Sequence, residues 1–203
     1  MQDDIEAHWS PQPANPALAA GQTDIWWIDL ADERAADRRR TAHAALRTII
    51  GLYLRTAPGA LEIARHEGGK PYLASPASPL AFNLSHSREV ALLAVSAAGE
   101  VGVDIEIVRE IRNLERLARR ALPTAECEAL QAVPAARRNS AFLRYWTLME
   151  ARQKAAGRGI FAAPVDPAAV RCVSFEPAPG TIAALALSPP HDPALRFFRF
   201  SPP

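Results

Sequence analysis

"EVGVDIEIVRE", residues 100–110, decides how the chain folds. Val101, Val103, Ile105 and Ile107 share one parity, while Gly102, Asp104 and Glu106 share the other. Side chains of a strand alternate between its faces, so the stretch predicts a strand with one aliphatic face to bury. The opposite face then sets two carboxylates side by side, where they repel. A hard divalent ion would remove that repulsion. Mg2+ suits carboxylates at i and i+2, because it keeps several waters and accepts phosphate oxygens as further ligands. A solvated polar face on a half-buried strand gives the same spacing.

Working outward, "LAFNL" (80–84) and "EVALLAVSA" (89–97) read as strands flanking a turn, "SHSR". Further upstream, "TDIWWIDL" (23–30) reads as a strand. Asp32 stands as N-cap of a long helix that runs to about Arg55 and is stopped by "APG" (57–59). "LEIARH" (61–66) is a short strand and "EGGKPY" (67–72) a loop. Downstream the period becomes helical: "NLERLARRAL" stops at Pro123, "TAECEALQAV" stops at Pro134, and a longer helix covers about 135–156. "AAVRCVSF", "TIAALALS" and "ALRFFRF" are three closing strands. Long helices with antiparallel hairpins define the class as α+β. "LRTIIGLYLR" (46–55) and "LRYWTLMEAR" (143–152) share Leu, Arg and a final Arg at the same spacing, a faint sign of duplication.

The 203 residues, 49% hydrophobic and 22% charged, fit one soluble globular unit or two small halves sharing a core. A formal net charge of +1 offers no bulk attraction to nucleic acid or to an anionic membrane. Cys127 and Cys172 form no metal-ligand spacing, so reduced cytosolic thiols are expected. The first 22 residues read as an irregular, Pro-rich leader without the pattern of a signal peptide. A bilayer span takes ~20 apolar residues. The best candidate, "VALLAVSAAG", falls short, which places the protein in the cytoplasm.

Three further stretches carry chemistry-bearing groups. In "WTLMEARQKAAGRG" (146–159), Trp146, Glu150 and Lys154 recur every four residues and form one stripe on a helix. Glu150 could complete a metal site and leave Lys154 beside what the metal holds; a surface Glu–Lys pair has the same spacing. In "FNLSHS" (82–87), Ser85 and His86 open a turn where a hydroxyl, an imidazole and backbone N–H groups could meet an anion, or Ser85 simply caps the turn. In "GGKPYL" (68–73), Lys70 sits on a tight loop and could reach a phosphate as a point charge. No GxxxxGK[ST] and no GxGxxG with an acidic ribose partner occur, so neither a P-loop nor a dinucleotide fold is supported.

Taken in order, G-K-P, F-N-L-S-H-S, G-V-D-I-E and W-T-x-x-E-A-x-x-K followed by G-x-G resemble the 4′-phosphopantetheinyl transferases. The resemblance is to the surfactin-synthetase-activating type, a single chain of two similar halves, and spans roughly Arg34 to Gly159. It implies a pseudo-two-fold α+β unit in which each half packs a small, mostly antiparallel sheet against a long helix. The leader would end at 22, with halves at 23–99 and 100–203. It also implies transfer of phosphopantetheine from coenzyme A to a serine of an acyl- or peptidyl-carrier protein, with Mg2+, releasing adenosine 3′,5′-bisphosphate. By the same resemblance Asp104, Glu106 and Glu150 hold the metal. Glu150, directly or through a metal-bound water, is the base for the carrier serine, and Lys154 steadies or protonates the leaving phosphate. Ser85, His86 and Lys70, with Arg47 and Thr48 more loosely, approach the coenzyme.

The family usually reads W-T-x-K-E-A, and Met149 stands in place of that lysine. The arginines of 109–120 form a docking face for an acidic carrier, or simply a solvated helical face. The single-chain type implies a monomer. The pathway of the carrier (fatty-acid, polyketide or non-ribosomal peptide) is not written in the sequence. Two other functions use the same residues: a catalytically degenerate relative that binds coenzyme A or a carrier, and a Mg2+-dependent phosphoesterase.

Overall fold

The computed structural model describes residues 4–159 and 162–202. Eleven strands and four α-helices follow one another among them. The strands are β1 (Asp4–Ile5), β2 (Trp9–Pro11), β3 (Gln22–Asp29), β4 (Glu62–Arg65), β5 (Pro71–Ser75), β6 (Ala81–Ser87), β7 (Val90–Ser96), β8 (Glu100–Ile107), β9 (Arg171–Phe175), β10 (Thr181–Ser188) and β11 (Ala194–Arg199). The helices are α1 (Arg38–Leu54), α2 (Leu114–Ala121), α3 (Thr124–Ala132) and α4 (Ala135–Ala155). The class is α+β, as the sequence predicts.

The path repeats. In the first half β3 leads through α1 to the hairpin β6–β7, and the sheet runs β3-β7-β6. In the second half β8 leads through α2–α4 to β9 and β10, and the sheet runs β8-β10-β9. Every pairing within these two triplets is antiparallel. The faint match between 46–55 and 143–152 falls on the two helices that occupy equivalent places, α1 and α4.

The sheets face each other. Ile25, Leu92 and Ala94 on one meet Val101, Val103, Ile105, Val173 and Leu185 on the other. Val101, Val103 and Ile105 are the predicted aliphatic residues of β8, and burying each contributes ~1.5–3 kcal/mol. On the outer side of the first sheet, α1 lays down Ala42, Ala45, Leu46, Ile49 and Ile50, spaced i, i+3, i+4, i+7 and i+8, onto Trp26, Ile28 and Leu93. On the outer side of the second, α4 sets Leu148, Ala151 and Ala155 against Ala184 and Ala186.

Three expectations are corrected. The first helix starts at Arg38, and Asp32 does not cap it. Residues 31–37 contain only alanine as apolar material, and Ala35 and Ala36 are exposed. They offer no stripe to bury, and helices of this length rely on such burial. The leader is not wholly irregular. β2 pairs in parallel with β11, and β1 with β9. Trp9 is held edge-on to Trp27 and Phe197. Nor do the halves divide cleanly at 99/100, because β11 crosses back to pair with β3 of the first half's sheet. Among the described residues no helix is long and apolar enough to cross a membrane.

Candidate active site

β8 turns Gly102, Asp104 and Glu106 toward α4, and Gly102 is what lets the helix settle there. A Cβ at this position would lie 2.1 Å from the carbonyl oxygen of Ala151 and 2.4 Å from the amide of Ala155. Only glycine accepts so close a backbone. With that contact made, the i, i+4 pair Glu150 and Lys154 comes down over the carboxylates of the strand.

Lys154 Nζ lies 2.6 Å from Asp104 Oδ1, 3.2 Å from Glu150 Oε2 and 3.1 Å from Ser85 Oγ. Ser85 donates its own proton to the same Asp104 Oδ1 at 2.7 Å. Two residues along, the arrangement recurs. Glu106 Oε2 accepts from Ser87 Oγ at 2.8 Å and from the Arg109 guanidinium at 2.6 Å. Each strand carboxylate is therefore gripped by one oxygen, with one hydroxyl and one cation. The other oxygen of Asp104, Oδ2, is buried and has no hydrogen-bond partner among the described residues.

Burial is the main force on Asp104 and pushes its carboxyl up to about 7; the charge of Glu150 adds to this, and Lys154 opposes it. Lys154 goes the other way. Burial pulls its pKa down, but the nearby charges of Asp104 and Glu150 outweigh that and leave it raised, so the ammonium persists. A buried carboxylate oxygen with no donor is costly, and oxygen donors are what a hard divalent ion takes. The type of donor suits Mg2+, which takes carboxylate oxygens together with waters and phosphate oxygens. The sequence reading expected three acids converging on a metal; here the convergence is indirect. Among the described residues no three acidic, imidazole or thiol groups stand close enough to hold an ion. Like charges keep apart, and Lys154 and Arg109 supply the positive charge between and beside them.

The "SHSR" turn is a correction. β6 runs on to Ser87, so Ser85 and His86 lie in a strand, and the hairpin turns at Arg88 (φ +51°) and Glu89. Asn83, Ser85 and Ser87, on one face, reach across to β8. Asn83 Oδ1 accepts from the amide of Val103 at 2.9 Å, and Ser87 Oγ from that of Ile107 at 3.2 Å. Their alternation, N-x-S-x-S, was the available signal. Polar residues in series after "FNL" look like a turn, because nothing local shows the strand they bond to. Asn83, Ser87 and Gly102 are the residues this reading missed, and Arg109 it placed only on a docking face.

The remaining candidates are dispersed. His86 stays exposed on the opposite face of β6, within electrostatic reach of His43. Lys70 is buried and spends its ammonium on Glu100 (2.5 Å), the carbonyl of Val101 (2.9 Å) and that of Ala155 (3.2 Å). Its hairpin docks so closely that a Cβ on Gly68 would lie 1.9 Å from the Gly157 carbonyl. Lys70 thus staples β8 to the end of α4, and burial lowers its pKa. Arg47 donates to the carbonyls of Pro58 and Leu61 at 2.9 and 2.8 Å. With His43, Arg65 and Pro71 it lines a basic cleft of about 170 Å³. The hydroxyl of Thr48 is turned back onto Ala44 of its own helix at 3.1 Å. Met149, beside Gln153, Arg120 and Arg152, lines a larger groove of about 580 Å³.

Comparison with known proteins gives a family and named relatives. Residues 100–197 match the model of the 4′-phosphopantetheinyl transferase superfamily. The chain is 35% identical to the 4′-phosphopantetheinyl transferase HetI of Nostoc sp. over 183 residues, covering 77% of each chain. It is 38% identical to the 4′-phosphopantetheinyl transferase AcpT of Salmonella typhi over 140 residues, covering 69% of each. A third relative, the L-aminoadipate-semialdehyde dehydrogenase-phosphopantetheinyl transferase of Eremothecium gossypii, is 33% identical over 155 residues, 68% of this chain and 54% of the relative.

Proposed function

The chain belongs to the 4′-phosphopantetheinyl transferase family, and on that premise we propose that it moves phosphopantetheine from coenzyme A to a serine of an acyl- or peptidyl-carrier protein. The reaction uses Mg2+ and releases adenosine 3′,5′-bisphosphate. One observation supports this reading: Asp104 is held by one oxygen while the other is buried without a partner among the described residues, beneath Glu150 and Lys154 of α4.

Asp104, Glu106 and Glu150 would hold the ion. When bound, Mg2+ neutralises charge that grows on the pyrophosphate in the transition state. Glu150 takes the proton of the carrier serine, whose oxygen attacks the phosphorus that bears pantetheine. The bond from that phosphorus to the bridging oxygen breaks, and the nucleotide leaves with the electron pair. Lys154 remains an ammonium and donates to the departing phosphate. Its contact with the neutral Ser85 hydroxyl, at 3.1 Å the weakest partner by charge, is the one it exchanges. The cleft lined by His43, Arg47 and Arg65, with His86 nearby, suits the coenzyme's remaining phosphate.

Arg116 and Arg119, with Asn113, Leu114 and Arg138, line an open groove on α2 that suits the acidic helix of a carrier. Reversing Arg116 and Arg119 to Glu should raise the KM for carrier roughly tenfold and leave that for coenzyme A unchanged. Unchanged carrier kinetics would remove this face from the account. The two halves in one chain bring these residues together without a second copy, which supports a monomer. The decisive test is incubation with coenzyme A, Mg2+ and a panel of apo-carriers, read by mass. A gain of one phosphopantetheine on a carrier supports the transferase. Coenzyme A binding without any gain marks a degenerate binder, and nucleotide release without a carrier marks a phosphoesterase.

A further inference from the structure

The acids of β8 are held from a second strand that is not paired with it in a sheet. β6 presents Asn83, Ser85 and Ser87 at i, i+2 and i+4, and these meet Val103, Asp104 and the Glu106–Ile107 pair in turn. Asn83 and Ser87 each accept an amide of β8, a structural tie. Ser87 does a second thing that Asn83 does not. It gives its one hydroxyl proton to Glu106 Oε2, where Arg109, anchored also on the carbonyl of Ile107 at 3.1 Å, delivers its guanidinium. Both donors take the same oxygen. Among the described residues no hydrogen bond reaches Oε1.

We infer that Ser87 and Arg109 are positioning residues for Glu106: they fix its carboxylate by Oε2 so that Oε1 is presented to the metal, as Ser85 and Lys154 present Oδ2 of Asp104. This rests on the metal-dependent transferase reading. A carboxylate oriented by fixed donors loses less freedom when it ligates, and loss of such outer partners costs about 10- to 100-fold in metal affinity or activity. Arg109 also cancels part of the mutual repulsion of the two acids before the ion arrives, and Ser87 does so without adding charge. The pair therefore sets how readily the site loads.

The test is calorimetric titration of the full chain with Mg2+ in the presence of coenzyme A, alongside kcat, KM for coenzyme A and Tm. Ser87→Ala should weaken Mg2+ binding by roughly tenfold, with KM for coenzyme A at saturating Mg2+ little changed. Ser87→Thr, which keeps the hydroxyl, should restore it. Asn83→Ala removes a tie of the same ladder but touches no carboxylate, so it should lower Tm and leave Mg2+ affinity in place. Arg109→Gln, a change at a half-exposed site that keeps the fold testable if Ser87→Ala does not fold, should weaken Mg2+ binding too. The inference is overturned if Ser87→Ala and Arg109→Gln bind Mg2+ like the parent, or if Asn83→Ala weakens it as much as they do. If the parent itself binds no Mg2+ and modifies no carrier, the transferase reading falls as well, and the two failures are told apart.

Discussion

Two buried aspartates, one in each half, show how the same fold is put to different use. Asp24 sits on β3 facing α1, and Asp104 sits on β8, the equivalent strand, facing α4. Both oxygens of Asp24 are satisfied. Arg196 of β11 donates to Oδ1 and Oδ2 at 2.8 Å each, and Tyr53 of α1 donates to Oδ2 at 2.5 Å. Burial and that neighbouring carboxylate raise the Tyr53 pKa, so the phenol keeps its proton and goes on donating. Asp104 has one satisfied oxygen and one that has no partner among the described residues. The first half closes its polar network and buries hydrocarbon under α1. The second leaves a network open under α4. A closed buried network contributes order, while a buried group without a protein partner calls for one.

The contrast can be broken most forcefully by removing each aspartate. Asp104→Ala should cut carrier modification by more than about 100-fold while Tm changes little. Asp24→Ala should lower stability by about 3–5 kcal/mol, because Arg196 and Tyr53 lose their partner, with turnover per folded molecule preserved. Thermal melts and single-substrate kinetics on both variants check this, and equal behaviour of the two would dissolve the distinction.

Next comes the glycine that lets α4 approach. Gly102→Ala should cost about 1–3 kcal/mol. It should also slow transfer by roughly 100-fold, the effect of displacing catalytic groups by about 1 Å. Gly51 of α1, whose Cβ would lie 2.6 Å from the Thr56 carbonyl, is the matching test in the first half, and Gly51→Ala should affect Tm alone.

A smaller effect follows from the raised carboxyl of Asp104. Between pH 4 and about 7 the folded chain holds a proton there that the unfolded chain has released. Stability from this group is thus complete below pH 4 and is lost as pH rises through 7, by on the order of a few kcal/mol. Asp104→Asn should flatten that decline in a Tm series from pH 5 to 8 without Mg2+. A parallel decline in the variant would assign the pH dependence elsewhere. Smallest is Met149→Lys, which restores the usual residue at the rim of the larger groove. It should lower KM for coenzyme A by roughly two- to fivefold, and an unchanged constant would make the missing lysine incidental.

What the sequence disclosed and what it hid divide along a physical line. β8, α4 and "TIAALALS" were legible because their periods are local and their buried faces continuous. The shared faces of Asp104 with Glu106 and of Glu150 with Lys154 were legible because i+2 on a strand and i+4 on a helix fix them. The roles of Ser85, Ser87 and Lys70 were hidden, since each depends on a partner distant in the chain: Asp104, Glu106, and Glu100 with Ala155. Gly102 looked like part of a polar face, though its meaning is a helix backbone packed against it. The pairings of β1, β2 and β11 join the ends of the chain, and no local pattern reports them.

The central claim is that the free oxygen of Asp104 receives a divalent ion. A crystal grown with coenzyme A and Mn2+, a Mg2+ stand-in with an anomalous signal, tests it directly. The account predicts an anomalous peak at about 2.1 Å from Asp104 Oδ2, shared with Glu106 and Glu150, and Lys154 still on Oδ1. A loaded coenzyme with no peak at Asp104, or with Lys154 bridging both of its oxygens, would contradict it.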